Sequence, residues 1–225
     1  MRKQQQGFTL IEIAIVLVII GLLLGGVLKG QELIQNARVR NIISQQDGVK
    51  AAYFGFQDRY RGVPGDYPAV NAIANIPGVG PGGVCAIAVC GTAPNASNGL
   101  IDTSQESITA WFHLSRSGFI TGTYDGGGVA PTPTNTPTNP YGGFMQLIND
   151  AIYDPPGGVA RNNVKTGAGI PATILGEVDR KIDDGNPSTG EFRFSTFGGA
   201  PAACMVAPGW DVNTGQANCG AASLF

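Results

Sequence analysis

The chain has few of the side chains on which catalysis and metal binding most often depend. Histidine occurs once, at His113, and charged residues make up only 13% of the sequence. A single histidine cannot form a histidine cluster for zinc, so we expect a structural or surface role for it. The sequence also lacks a G-x-S-x-G elbow, a P-loop and a paired zinc motif. These absences argue against an enzyme, and we expect no catalytic residues.

The chain also has little positive charge. Its formal net charge is -2, and losing Arg2 and Lys3 with a leader would make it -4. A protein that binds the nucleic-acid backbone without sequence preference needs an excess of positive charge. We therefore predict no nucleic-acid partner.

Apolar residues are concentrated near the N-terminus. Between Phe8 and Leu28 the only charged side chain is Glu12, and these 21 residues would span about 31 Å as a helix, close to the hydrocarbon thickness of a bilayer. The preceding segment, Met1 to Gly7, carries two positive side chains, which favours the cytoplasmic side. The sequence therefore predicts a membrane-spanning N-terminal segment.

Glu12 is unusual in this apolar segment. A carboxylate costs about 2.5 to 3.5 kcal/mol near the bilayer centre, and less near an interface. It therefore needs a partner or a protonated state. The alternative is a simple one-span anchor in which Glu12 lies near the lipid headgroups.

The junction Gly7-Phe8-Thr9-Leu10-Ile11-Glu12 resembles the class III signal peptides of type IV pilins and of the pseudopilins of type II secretion systems. The resemblance implies that a prepilin peptidase cuts after Gly7 at the cytoplasmic face and that Phe8 becomes the N-methylated first residue. It also implies that the Glu12 carboxylate meets the Phe8 amine of a neighbouring subunit during assembly. Such a desolvated ion pair would set the register of the subunits, because an unpaired buried charge penalises other staggers.

By this resemblance the chain is a structural pilin that forms a homo-oligomeric helical filament through an assembly platform. The precursor is expected in the bacterial inner membrane with its head in the periplasm, and the assembled filament at the cell surface. A pseudopilin of a type II secretion system, part of a short periplasmic piston, carries the same motif and is the alternative. A membrane-anchored protein that forms no filament is a third interpretation.

The patterns divide the chain into a cleaved leader at 1–7, a membrane or filament-core half-helix at 8–30, an amphipathic half-helix at 31–61 and a globular head at 62–225. Apolar residues from Leu33 to Tyr60 recur mostly three and four positions apart, which indicates that the helix continues. Four glycines lie in its first half, at Gly21, Gly25, Gly26 and Gly30. We hypothesise that this stretch is helical in the membrane and partly extended in the filament. Close helix packing through small residues is the alternative.

The predicted fold class is α+β, a pilin fold in which a long protruding N-terminal α-helix packs on an antiparallel β-sheet within a loop-rich head. A capping box at Thr103–Glu106 predicts one helix, and Pro171–Gly185 predicts another. Alternating apolar residues predict strands at Phe119–Tyr124 and Glu191–Phe197.

The four cysteines fall as two close pairs, Cys85 with Cys90 and Cys204 with Cys219. In an exported head two disulfides are the economical interpretation, although four cysteines allow three connectivities. The resemblance implies that a disulfide between Cys204 and Cys219 would fasten the last loop to the sheet.

An acidic cluster in the head is a candidate calcium site. It consists of Asp179, Asp183, Asp184 and Glu191, and it lacks the alternating ligand spacing of an EF-hand. Turn capping is the alternative, and we expect no obligatory cofactor. Calcium is considered because some pseudopilins that resemble this chain at the N-terminus use it to order a C-terminal loop.

A low-complexity, proline-rich run in the head, PTPTNTPTNP, occupies Pro131–Pro140. Prolines lack a backbone donor and favour an extended conformation, so the run predicts an extended surface loop. Its threonines are candidates for attached glycans.

Overall fold

The computed structural model describes residues 9–79 and 97–225. The chain separates into two units, one up to Arg38 and one comprising Val39–Phe225. In order, the described elements are α1 (Leu10–Tyr60), α2 (Ala69–Asn75), α3 (Ser104–Arg116), β1 (Gln146–Asp150), β2 (Arg161–Lys165), α4 (Ala172–Ile182), β3 (Phe192–Phe194), a 3-10 turn (Ala202–Cys204), β4 (Met205–Val206), β5 (Gly209–Trp210) and β6 (Ala221–Leu224).

The main sheet is antiparallel and has the strand order β1-β2-β6-β3. Val164 in β2 lies opposite Leu147 of β1 and opposite Ser223 of β6, and Phe192 of β3 lies opposite the same serine. Residues paired across neighbouring strands share a face of the sheet, so these four side chains lie on one face. All four are buried, and this face contributes to the core.

The second half of α1 supplies the other side of the core. Its buried residues recur every three or four positions: Val39, Ile42, Gln46, Val49, Ala52, Tyr53 and Phe56. Val49 belongs to a buried cluster that includes Val164 of the sheet, and Ile42 belongs to a second cluster that includes Phe192. A long helix packed on an antiparallel sheet confirms the predicted fold class.

Helix α1 ends at Tyr60 because the next residue turns the chain. Arg61 has φ 54°, in the left-handed region, and its N–H donates to Gln57 O at 2.9 Å. Gly62 follows where an added Cβ would lie 2.4 Å from the Tyr67 ring. The arginine therefore makes the turn, and the glycine makes room for the aromatic side chain.

Helix α3 begins with the predicted capping box. Glu106 N donates to Thr103 Oγ1 at 3.2 Å, and Thr103 N donates to Glu106 Oε2 at 3.1 Å. Further along this helix His113 is fully buried, and its Nδ1 accepts a 3.0 Å hydrogen bond from Gly65 N. The imidazole is stacked on Phe56 with ring centroids 5.9 Å apart. The histidine therefore joins α3 both to α1 and to the segment that follows α1.

The strand predicted at Phe119–Tyr124 is wrong, because this segment bends back onto α3. The N–H groups of Phe119 and Ile120 both donate to Leu114 O, at 3.0 and 3.3 Å. Both side chains pack against the core while the backbone closes the end of the helix. The apolar side chains that suggested a strand instead pack a loop against the core.

Two other predictions for the head are partly confirmed. Helix α4 starts directly after Pro171, as predicted. The strand predicted at Glu191–Phe197 is present but shorter, as β3.

The run Pro131–Pro140 is not the extended loop that was predicted. The N–H groups of Asn135 and Thr136 both donate to Thr132 O, at 3.2 and 3.1 Å, and close a turn.

Candidate assembly site at the start of helix α1

Thr9 and Glu12 form a capping box at the start of α1. Thr9 N and Thr9 Oγ1 donate to Glu12 Oε2 at 2.8 and 2.7 Å, and Glu12 N donates to Thr9 Oγ1 at 3.4 Å. These bonds satisfy backbone N–H groups that the first turn of a helix otherwise leaves without partners. Glu12, the one charged residue of the apolar segment, is thereby held in a defined orientation.

The Glu12 carboxylate is exposed and keeps one oxygen available. Within the described part of the chain its hydrogen bonds all fall on Oε2, so Oε1 can accept a further donor. Its neighbours Leu10 and Ile11 are 93% and 68% exposed and apolar. The N-terminal end of a helix also favours negative charge. A cation from another chain can therefore reach Oε1 while the capping box stays intact.

The first half of α1 presents apolar side chains on all sides. None of its most apolar 18-residue window is buried, and in residues 9–79 and 97–225 this is the one helix long and apolar enough to cross a membrane. The large exposed side chains are Leu10, Ile11, Ile13, Ile15, Val16, Leu17, Val18, Ile19, Ile20, Leu22, Leu23, Leu24, Val27 and Leu28. A surface of this size and composition requires lipid or other protein chains around it.

The helix is continuous through its four glycines. Apart from the adjacent backbone of the helix itself, a Cβ added at Gly21, Gly25, Gly26 or Gly30 would meet no atom within 4 Å, so no other part of the described chain packs on these positions. The helical form is the one expected in the membrane. Partial extension of Gly21–Gly30 in a filament stays a prediction.

Four of the predicted site residues lie outside the described residues. These are Gly7 and Phe8 at the cleavage junction, and Cys85 and Cys90 in the head. The structure therefore describes the acidic half of the predicted Phe8–Glu12 contact.

Cys204 and Cys219 form a disulfide, as predicted. Both residues are buried, and Cys219 exchanges two backbone hydrogen bonds with Ile170, at 2.8 and 3.1 Å. The bridge thus closes the C-terminal loop, the two backbone bonds tie the end of this loop to the chain just before α4, and β6 begins two residues after Cys219.

Three members of the predicted acidic cluster lie together. One oxygen each of Asp179, Asp183 and Asp184 lies within 4.8 Å of the others, whereas Glu191 is not part of this group. Burial raises the pKa of Asp179, and the charges of Asp184 and Asp183 raise it further. The pKa of Asp184 is lowered, chiefly by the hydrogen bond from the Thr189 hydroxyl.

The carboxylates of this cluster already accept hydrogen bonds from the protein. Asp179 Oδ2 accepts from Trp210 Nε1 at 2.6 Å, and Asp179 Oδ1 accepts from Gly185 N at 3.0 Å. Asp183 Oδ2 accepts from Phe192 N at 2.8 Å. The bond from Gly185 N caps the turn after α4, and a calcium ion would have to share or replace all three bonds.

Thr9 is the functional residue that sequence reasoning missed. The spacing Thr9-x-x-Glu12 is that of a capping box, the same signal that located Thr103 and Glu106. In the first turn Glu12 is distinguished by its charge, whereas Thr9, three residues earlier, is distinguished only by its capping-box spacing.

Residues 2–28 match a family model described as the prokaryotic N-terminal methylation motif. No curated protein and no solved structure matches the chain. The motif implies processing by a prepilin peptidase, and with the apolar helix it indicates insertion in a membrane. Together they support a type IV pilin-like or pseudopilin protein. At residues 2–28 the chain thus carries the class III signal peptide motif of type IV pilins and pseudopilins.

Proposed function

We propose that the chain is a structural pilin, the subunit of a type IV pilus-like filament, and that it has no catalytic activity. The observation that carries the proposal is the start of α1, where one oriented carboxylate lies in the exposed and otherwise apolar stretch Leu10–Leu28. Any membrane-anchored protein needs the apolar surface, whereas a subunit that takes a fixed register in a helical bundle also uses an oriented carboxylate within that surface.

Maturation would proceed at the cytoplasmic face of the inner membrane. A prepilin peptidase cuts between Gly7 and Phe8 and methylates the new amino group of Phe8. The cut removes Arg2 and Lys3 together with the leader. The matured chain then begins with a positive amine four residues before Glu12.

Assembly would use this amine as the partner of Glu12. Glu12 Oε1 has no hydrogen bond within the described residues and can accept the Phe8 amine of a neighbouring subunit while Oε2 stays bonded to Thr9. Around them Leu10–Leu28 would exchange lipid for the helices of other subunits. A subunit in the wrong stagger would bury an unpaired carboxylate, so the pair specifies register more than it stabilises the filament.

The proposal is tested by replacing Glu12. We expect the precursor of Glu12→Ala to be cut and methylated normally but to form no filaments, because processing acts at Gly7 and Phe8. Glu32→Ala is the matched control, since Glu32 is an exposed glutamate on the same helix that pairs with Lys29 at 2.7 Å. Normal filaments from Glu12→Ala would refute the assembly mechanism.

A pseudopilin of a type II secretion system is the second candidate, because it shares the N-terminal motif. The two roles differ in what a cell loses when the gene is deleted. A pilin deletion removes surface filaments and leaves protein secretion intact, whereas a pseudopilin deletion leaves folded proteins in the periplasm. A membrane-anchored protein without a filament would show neither loss.

A further inference from the structure

The proline-rich loop is held in place by one buried side chain. Asn135 is 2% exposed, and its Nδ2 donates to Gly127 O at 2.7 Å and to Ala130 O at 3.1 Å. Its Oδ1 accepts from Thr132 N at 2.7 Å and from Thr136 Oγ1 at 2.8 Å. All four hydrogen-bonding positions of the amide are therefore used, and the turn is fixed from the inside.

This turn separates three of the loop's four threonines into two kinds, whereas Thr138 is exposed but lies beyond the turn, in a bridge with Phe144. Thr136 is buried, and its hydroxyl is used within the loop. Thr132 and Thr134 are exposed, and their hydroxyl oxygens lie 3.2 Å apart, within hydrogen-bond distance of each other. Two neighbouring hydroxyl groups are thus presented to solvent on an ordered backbone.

The sequence around these hydroxyls favours recognition by an enzyme. Pro131 and Pro133 each precede a threonine, fix the backbone dihedral φ and offer no N–H group of their own. A segment that is already ordered loses less entropy when it enters a binding cleft. The run Pro131–Pro140 contains no charged side chain, so a neutral ligand such as a sugar meets no ion beside the hydroxyls.

We propose that this turn is an O-glycosylation site, with Thr132 and Thr134 as the acceptors. The donor is a sugar activated through a phosphate, carried on a lipid or a nucleotide. A bond forms between the anomeric carbon and the Oγ1 of the acceptor threonine, and the bond from that carbon to the donor phosphate breaks. The hydroxyl proton passes to a base of the transferase. The attached sugar projects into solvent and leaves the buried Asn135 bonds unchanged.

This inference rests on the proposed function in one respect, since the head must be exported to meet a transferase outside the cytoplasm. One tryptic digest of the full chain, purified from its natural host, tests the two separately. The peptide of residues 8–29 reports cleavage and methylation, and the peptide of residues 117–161 reports the loop. We expect the second peptide to carry carbohydrate, localised by fragmentation to Thr134 or Thr132.

Variants make the assignment specific. The double variant Thr132→Val with Thr134→Val should lose all carbohydrate from the peptide of residues 117–161. Thr121→Val is the control, because Thr121 is exposed, lies on the same peptide and has no neighbouring proline. It should keep full occupancy. An unmodified peptide as the only form in the natural host, or carbohydrate retained by the double variant, would overturn the proposal even where the N-terminal peptide is processed as expected.

Discussion

Trp210 Nε1 donates a 2.6 Å hydrogen bond to Asp179 Oδ2, and both residues are buried. The indole lies in the loop closed by the Cys204–Cys219 disulfide, and the carboxylate lies on α4. The disulfide therefore closes the loop, and the hydrogen bond fixes the closed loop to α4. The carboxylate also accepts from Gly185 N, which caps the turn after α4.

The pH dependence of stability should reveal this buried carboxylate. Burial raises the pKa of Asp179 above its ordinary value of 3.8 in the folded chain. A group with a raised folded pKa contributes stability that is fully present below the unfolded pKa and is lost as pH rises through the folded pKa. Asp179→Asn should therefore lack the loss of stability that begins as pH rises above the unfolded pKa of 3.8 and is complete above the raised folded pKa. The measurement is the free energy of unfolding against pH.

Asp211 is the control for that experiment because its pKa moves the other way. A hydrogen bond from the Thr214 hydroxyl is the main cause of its lowered pKa. Its contribution is present above the unfolded pKa and is lost as pH falls through the folded pKa. Asp211→Asn should therefore change the slope of the free energy of unfolding against pH in the opposite sense to Asp179→Asn. Equal slopes in the two variants would contradict these assignments.

Removing the C-terminal disulfide should destabilise the head. Cys204 and Cys219 are 15 residues apart, and a closed loop of this length is worth about 3 kcal/mol in the chain-entropy model. Changing both cysteines to serine should lower the free energy of urea unfolding by about this amount. Hydrogen exchange should accelerate first around Trp210 and later in α1. An unchanged denaturation midpoint would show that the bond contributes nothing.

The end of α1 offers a stabilising substitution. Arg61 adopts a left-handed conformation with φ 54°, which costs a residue with a Cβ about 1 to 2 kcal/mol. Arg61→Gly should therefore raise the free energy of unfolding by about 1 kcal/mol. Arg59→Gly is the matched control, because Arg59 lies in the last helical turn, where glycine costs about 1 kcal/mol. If both substitutions changed the free energy of unfolding in the same direction, the conformational explanation would be contradicted.

Calcium should have little effect on the melting of the head. The carboxylates of Asp179 and Asp183 already accept hydrogen bonds from the chain, and Asp184 accepts from Asn186 N at 2.8 Å. We therefore expect thermal melting curves in calcium and in chelator to coincide. Stabilisation by calcium that Asp184→Asn abolishes would establish an ion site in place of simple turn capping.

The sequence predicted the features that local chemistry determines. The capping box of Thr103 and Glu106, the helix start after Pro171 and the amphipathic half of α1 depend on neighbours a few residues apart. The Cys204–Cys219 bridge followed from cysteine spacing together with a family resemblance.

Features that depend on distant contacts were not predicted. The Phe119–Tyr124 segment forms a loop in which Phe119 and Ile120 pack against the buried cluster shared by α1 and the sheet, and this packing cannot be read from the segment itself. Lys165 is 1% exposed and forms an ion pair with Asp150, although a lysine in a sequence normally indicates a solvated position. Its burial depends on the fold around the ion pair.

The most direct test of the central claim is the mass of the N-terminal peptide of this chain taken from purified surface filaments. The account predicts filaments whose subunits begin at Phe8 with one methyl group on the amine, the leader through Gly7 being absent. Filaments that lack this chain, or a chain that begins at Met1 within them, would contradict it.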